Sequence, residues 1–450
     1  MEATQRSQPQ HNIALLPPPT FLGHLIPFIE LGKKLTLQHN STVTLIIPDD
    51  GSSMKSQKSL LQGLPTTIDT VFLPPVSTDD LPDNELGTPA AALVVDLFAI
   101  DAIDIAKQFG IPAYLFHVIA TYELSLCVIL PKLYESCASE SRDMAAPITL
   151  PGSIALSPED FPDLMNETNS DAHKSVMDWY NKFREADGVI VNSFLELELE
   201  AFKDLERRRP GLPPVYPVGP LIRTDTEAES DRGSECVKWL NDQPPKSLLF
   251  VSFGSGGTLS VEQFNELALG LDMSGQRFLW VVRSPQDKAA DAYLNSQSIV
   301  EDPLDFLPER FLERTKGRGL VVASWAPQIQ VLSHGSTGGF VTHCGWNSIL
   351  ESTVFGVPLI AWPLCFEQRM NAVFLTEGLK TAIRVKENEN GVVGREQISE
   401  LVKRLMEGEE GNQIRRRLSD VMIAAGKALS REGSSTKALA HVVQQWINSK

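Results

Sequence analysis

His343, Asn347, Ser348 and Glu351 fall within "HCGWNSILES", residues 343 to 352, at a spacing that suits an anion seat. From Trp346 onward Trp346, Ile349, Leu350, Thr353 and Val354 recur at helical intervals, and Gly345 suits a tight strand-to-helix turn ahead of them. In that helix Asn347, Ser348 and Glu351 share a face, because residues three and four apart are neighbours. A helix N-terminus exposes unpaired N–H groups and positive partial charge, which favours a phosphate. Taken singly, each residue has a structural role open to it. Asn347 and Ser348 suit helix capping, His343 a turn or core position, and Glu351 a solvated helix face. Their joint spacing argues for a ligand.

The elements that must position them form an α/β pattern. Candidate strands are "IALL" 13–16, "VTLIIP" 43–48, "ALVVDLF" 92–98, "GVIVNSF" 188–194, "SLLFVSFG" 247–254, "FLWVVR" 278–283, "LVVAS" 320–324, "GFVTH" 339–343 and "PLIAW" 358–362. These runs are apolar nearly throughout, as in strands covered on both faces. Amphipathic segments such as "GHLIPFIELGKKL" and "VEQFNELALGLDMSG" lie between them, so parallel sheets flanked by helices are expected. The pattern breaks from about 213 to 246, where proline, acidic and small polar residues suggest an exposed connection. The chain therefore divides into a Rossmann-like domain over 1–218, a linker over 219–246, a second Rossmann-like domain over 247–430 and a final helix over 431–450. Ligands of doubly wound sheets bind beyond the carboxyl ends of the strands, so two such halves facing each other would share one cleft.

At 450 residues the chain exceeds one compact core, and 42% hydrophobic with 22% charged residues is an ordinary globular composition. A net charge of −17 argues against nucleic acid or an anionic membrane as partner. The five cysteines, at 127, 137, 236, 344 and 365, form no CxxC pair, which fits a reducing cytosol. The N-terminal "MEATQRSQPQHN" has no signal-like apolar stretch, and no run approaches the roughly 18 apolar residues of a membrane span. A cytoplasmic monomer is expected.

The HCGWNS turn sits inside a longer block, Trp325 to Gln368, "WAPQIQVLSHGSTGGFVTHCGWNSILESTVFGVPLIAWPLCFEQ". This block resembles the signature box of plant UDP-dependent glycosyltransferases of small molecules, with its WAPQ opening, HCGWNS turn and EQ close. The resemblance extends to "GHLIPFIELGKKL", "ALVVDLF", "PVYPVGPL" and "LLFVSFGSGGTL", hence over nearly the whole chain, and is strongest to the branch that glucosylates hydroquinone and other small phenols. It implies the GT-B fold, two facing Rossmann-like domains, and UDP-glucose as donor. It also implies roles for individual residues. Trp325 would stack on uracil, for which its flat apolar face is suited. The Ala326 backbone and Gln328 would complete the uracil and ribose contacts, with Glu351 accepting from the ribose hydroxyls. His343, Asn347 and Ser348 would donate to the diphosphate, joined by Ser255 of "FGSGG". Trp346, Glu367 and Gln368 would hold the sugar, a closing Gln being the family's usual choice for glucose.

By the same resemblance His24 in "LGHLIPF" is the general base and Asp96, ending "LVVD", its partner carboxylate. An imidazole near neutrality can take the acceptor proton, and the carboxylate would orient it and stabilise the imidazolium. Single displacement on an α-glucosyl donor gives a β-glucoside. Leu22 and Phe98 flank these positions and are expected to line the acceptor pocket. No DxD triplet or histidine–carboxylate cluster has metal-ligand spacing, so no metal or other cofactor is expected.

Two features depart from the family pattern. The loop before His24 reads "PPPTFLGH", one residue longer than usual and short of a glycine, with Pro18 where a serine often approaches the phosphate. Only the stretch Ser77 to Asp96 separates the "FLPPV" run from the carboxylate, where the family fits an extra helix. An NAD-dependent oxidoreductase would need G-x-G-x-x-G closing the first strand, and "LLPPPTFLGH" stands there instead. A non-catalytic UDP-sugar-binding protein is the other alternative, and the presence of both His24 and Asp96 argues against it. Acceptor identity, whether phenol, indoxyl-like hydroxyl or aniline nitrogen, stays open.

Overall fold

The computed structural model describes residues 11–18, 22–48, 60–73, 90–140, 147–162, 170–208, 211–223, 231–286 and 302–448. The stretch 76–91, whose shortness departs from the family pattern, lies almost wholly outside these residues, as do 19–21 of the loop before His24. In chain order the strands are β1 Asn12–Leu16, β2 Thr42–Pro48, β3 Ile68–Leu73, β4 Ala92–Val95, β5 Ala113–His117, β6 Ile148–Leu150, β7 Ile154–Leu156, β8 Gly188–Val191, β9 Val215–Pro217, β10 Leu248–Ser252, β11 Arg277–Val282, β12 Gly319–Ala323, β13 Thr337–Thr342, β14 Leu359–Ala361 and β15 Ala382–Arg384.

The chain forms two compact units. The first comprises 1–140, 174–223 and 427–450; the second comprises 141–173 and 224–426. The first holds a seven-stranded sheet in the order β3-β2-β1-β4-β5-β8-β9, its pairs all parallel. The second holds a six-stranded parallel sheet ordered β12-β11-β10-β13-β14-β15. Both are Rossmann-like, and in each the strand order reverses beside the unit's first strand. Those switch points lie between β1 and β4 and between β10 and β13.

The apolar runs are continuous because alternate residues serve opposite faces of one sheet. Val94, Tyr114, Phe116 and Ile190 join the core that includes the helix Leu22–His39. Their neighbours Val95, Ala113, Leu115, Val189 and Val191 join a second core on the other face. In the second unit Leu249 and Val251 enter one core, while Phe250 stacks on Phe340 at 5.0 Å.

Several sequence expectations need correction. The 219–246 stretch expected as linker contains the helix Asp231–Asn241, whose Cys236 and Leu240 are buried, and β9 just before it is an ordered strand. The first domain is not continuous over 1–218. Residues 141–173 belong to the second unit, where Asp160 accepts from Arg384 at 2.7 Å and the β6–β7 hairpin brings Ile154 against Gly378. The final helix, Ser434–Asn448, buries Leu439, Val442, Val443 and Trp446 in the first unit's core. Gln445 there accepts from Tyr114 at 3.2 Å and Tyr216 at 3.0 Å. The strand expected over 92–98 stops at Val95, because Asp96 caps a 3-10 turn over Leu97–Ala99.

Candidate active site

At the first switch point β1 leads into the helix that carries His24, and β4 ends on Asp96. The two side chains meet with His24 Nδ1 2.8 Å from Asp96 Oδ2. Asp96 is buried at 1% side-chain exposure, whereas His24 keeps 22%. The other carboxylate oxygen, Oδ1, accepts the Phe98 amide at 3.0 Å. One carboxylate thus orients the imidazole and anchors the turn that carries Phe98. The Phe98 ring lies 5.4 Å from the His24 ring and remains 43% exposed. Leu22 is half-buried at the start of the same helix. The structure therefore gathers His24, Asp96 and Phe98, with Leu22 close along the chain.

At the second switch point β10 runs into Gly254 and Ser255, and β13 into His343. These loops touch: a Cβ on Gly254 would fall 2.6 Å from His343 Nε2, and one on Gly345 would fall 2.4 Å from it. Both positions are glycine because the ring fills the space a side chain would need, and Gly254 also has φ of 78°. Burial pushes the His343 imidazole down to about 4, so it is neutral near pH 7, and its Nδ1 has no hydrogen-bond partner among the described residues. Ser255 is exposed, and its carbonyl accepts from Arg283.

The helix Trp346–Phe355 starts at Gly345, which offers no side chain to cap the first turn. Asn347 is half-buried in that turn, while Ser348 and Glu351 are buried. Gln328 joins the last two, donating to Ser348 Oγ at 2.9 Å and to Glu351 Oε2 at 2.6 Å. Burial raises the Glu351 carboxyl to about 7, against the lowering effect of Gln328. Ala326 is buried beside Gln328, and Trp325 stays 48% exposed.

Trp346 and Gln368 are both buried. The Trp346 ring is buried and packs 6.3 Å from Phe374, as a core group. Gln368 is buried, and its Oε1 accepts the amides of Leu364 at 2.9 Å and Cys365 at 3.0 Å. Those donors fix which end of the amide is oxygen and commit it to the turn after β14. Glu367, at the N-cap of the helix Gln368–Val373, is half-buried.

Three non-glycine residues with positive φ adjoin these groups: Ser324 at 69° before Trp325, Cys344 at 66° after His343, and Phe366 at 55° before Glu367. Each follows the carboxyl end of a strand, β12, β13 or β14. Such conformations cost about 1–3 kcal/mol apiece and persist where the surroundings impose them, often at functional sites. Asn371, which sequence reasoning missed, is buried and donates to the Cys344 carbonyl at 3.0 Å, bracing one of these turns. Its position three residues after Gln368, one helical turn on, was the available signal.

Among the described residues no group of three or more His, Cys, Asp or Glu is placed to hold a metal ion, and no helix is long and apolar enough to cross a membrane.

Residues 195–421 match the family model for UDP-glucoronosyl and UDP-glucosyl transferases. The chain is 52% identical to a hydroquinone glucosyltransferase of Rauvolfia serpentina over 97% of this chain and 98% of that one. A Polygonum tinctorium UDP-glucosyltransferase capable of glucosylating indoxyl, solved with 3,4-dichloroaniline, is 43% identical with a TM-score of 0.87, over 98% of this chain and 100% of that one. A Phytolacca americana glycosyltransferase, solved with UDP-2-fluoro-glucose and pterostilbene, is 42% identical with a TM-score of 0.87, over 97% and 100%. With parallel sheets, two switch-point sites and this likeness over nearly its full length, the chain belongs to the UDP-glucoronosyl and UDP-glucosyl transferase family, and is a UDP-glycosyltransferase of the GT-B fold.

Proposed function

We propose that this chain transfers glucose from UDP-glucose to the hydroxyl of a small phenolic or indolic acceptor, with inversion, to give a β-glucoside. The contact between His24 Nδ1 and Asp96 Oδ2 carries the reading. With Nδ1–H donated to the carboxylate, the imidazole lone pair resides on Nε2, the atom that takes a proton from the attacking hydroxyl. Asp96 then stabilises the imidazolium it faces. An arylamine nitrogen would be served by the same base. The names of the Rauvolfia and Polygonum relatives support small aromatic acceptors.

In this reading the first unit holds the acceptor, with Leu22 and Phe98 as apolar contacts, and the second holds the donor. Trp325 stacks on uracil beside the Ala326 backbone, and the Gln328–Ser348–Glu351 group receives the ribose. Neutral His343, with Asn347, Ser348, Ser255 and the helix N-terminus, donates to the diphosphate. Glu367 and the Gln368 amide N–H meet the sugar, together with the Trp346 main chain. These neutral donors do the work a divalent cation does elsewhere, so transfer needs no metal. Cys127, Cys236, Cys344 and Cys365 form no disulfide, which supports a reducing cytoplasmic setting.

The test is a panel of phenols, indoxyl and anilines with UDP-glucose, with and without EDTA, read as a mass gain of one hexose and by the anomeric proton coupling. A β-linked product that survives EDTA is expected. No product, or an α-linked one, would overturn the reading.

A further inference from the structure

We propose that Trp179 sets acceptor selectivity in this reaction by fixing the ring of Phe98 beside the His24–Asp96 pair. The inference rests on the acceptor site proposed above and adds a residue to it. Phe98 sits in a 3-10 turn of three residues, Leu97–Ala99, and its backbone N–H donates to Asp96 Oδ1. The ring is steadied from the side by Trp179, which meets it edge to face at 5.3 Å and 84°. Rings at that distance and angle attract through their quadrupoles, so the pairing specifies an orientation as well as a position. His24, Phe98 and Trp179 thus form a row of rings that starts at the base.

Trp179 is itself pinned on both sides. It lies on the helix Asp171–Lys182, next to Tyr180, whose hydroxyl donates to buried Glu123 at 2.6 Å. Lys182, at the helix end, donates to Asp101 at 2.6 Å and Asp104 at 2.7 Å. Those aspartates follow the Phe98 turn directly in sequence. The helix is therefore fastened to the segment that carries Phe98 as well as to the helix after β5. An exposed apolar ring beside a base, held by a distant buttress, is a wall whose position decides how large an acceptor can be.

The experiment measures kcat/KM for a one-ring phenol, hydroquinone, and a two-ring phenol, 2-naphthol, in wild type, Trp179→Ala, Trp179→Leu and Trp179→Phe, with KM for UDP-glucose alongside. Freed from its buttress, Phe98 can swing aside. The two-ring to one-ring preference should then rise about 2- to 12-fold in Trp179→Ala, the range expected for loss of one aromatic pair. Trp179→Leu keeps bulk but no ring edge and should shift in the same sense, so it reports if the alanine variant does not fold. Trp179→Phe should stay near wild type, and KM for UDP-glucose should hold in all folded variants. An unchanged preference in both Trp179→Ala and Trp179→Leu overturns this inference and leaves the proposed activity intact. A wild-type chain that glucosylates neither phenol nor any other acceptor overturns both.

Discussion

His24 and Asp96 are 72 residues apart in sequence, and their side chains meet at 2.8 Å. The parallel register of β1 with β4 makes the meeting possible, pairing Leu16 with Val95 so that the segments after each strand leave the sheet side by side. Replacing His24 by alanine should lower kcat by about 10²- to 10⁴-fold, the usual worth of a positioned general base. UDP-glucose affinity, measured by calorimetry, should stay unchanged. Equal turnover in the variant would remove His24 as base.

Asp96→Asn separates orientation from charge. The amide oxygen can still accept from Phe98 N–H, but the NH2 group then faces His24 Nδ1 and favours the tautomer with its proton on Nε2, where no lone pair remains for the acceptor. We expect kcat to fall by about 10²- to 10⁴-fold with little change in melting temperature. A drop confined to stability, with kcat kept, would make Asp96 a structural cap alone.

Glu351 should give the proposed donor site a pH dependence. Its carboxyl is raised from 4.5 to about 7 by burial. For the unliganded protein, the raised value means a stability contribution fully present below the ordinary carboxylate range and lost as pH rises through about 7. Binding runs the other way. Ribose hydroxyls donate best to an ionised carboxylate, so UDP-glucose should bind about tenfold more tightly at pH 8 than at pH 6. UDP-glucose suits this titration because its diphosphate diester does not ionise in that window. Glu351→Gln should flatten the dependence; a slope that survives would place its origin elsewhere.

Trp325 is 48% exposed, so its loss should touch binding more than folding. Trp325→Ala is expected to weaken UDP binding by about 1–3 kcal/mol, the worth of one stacked base. The melting temperature should hold. A variant that binds UDP as wild type does would end the stacking assignment.

How much of this was legible in the chain depends on the kind of signal. A strand such as β10 announces itself because both faces are buried and the run Leu248–Val251 is wholly apolar. Strands β9 and β15, with three residues each, carry too little pattern, and β5 passed unnoticed between turns although all of it is buried. Residues 141–173 look like part of the first half by order alone, and contacts such as Asp160–Arg384 and Ile154–Gly378 assign them to the second. His24, Asp96 and the HCGWNS turn were readable through motif. Trp179 was not, since its meaning lies in a ring 81 positions away by number, at Phe98. The commitment of Gln368 Oε1 to the turn amides was equally hidden, because spacing does not say which way an amide points.

The glycines around His343 provide the sharpest steric test of the donor seat. Gly345 has an ordinary φ of −63°, so alanine suits its backbone, but the new methyl would lie 2.4 Å from His343 Nε2. Gly345→Ala should therefore displace the ring at a cost of about 1–3 kcal/mol in stability, as overpacking does. Gly254→Ala meets the same ring and adds a left-handed backbone at φ of 78°, worth about 1–2 kcal/mol more. Urea denaturation should rank wild type above Gly345→Ala above Gly254→Ala, and UDP-glucose affinity should fall in both variants. If Gly345→Ala loses stability yet binds UDP-glucose at wild-type strength, the His343 ring has moved without consequence for the diphosphate, and its place in the donor site is lost.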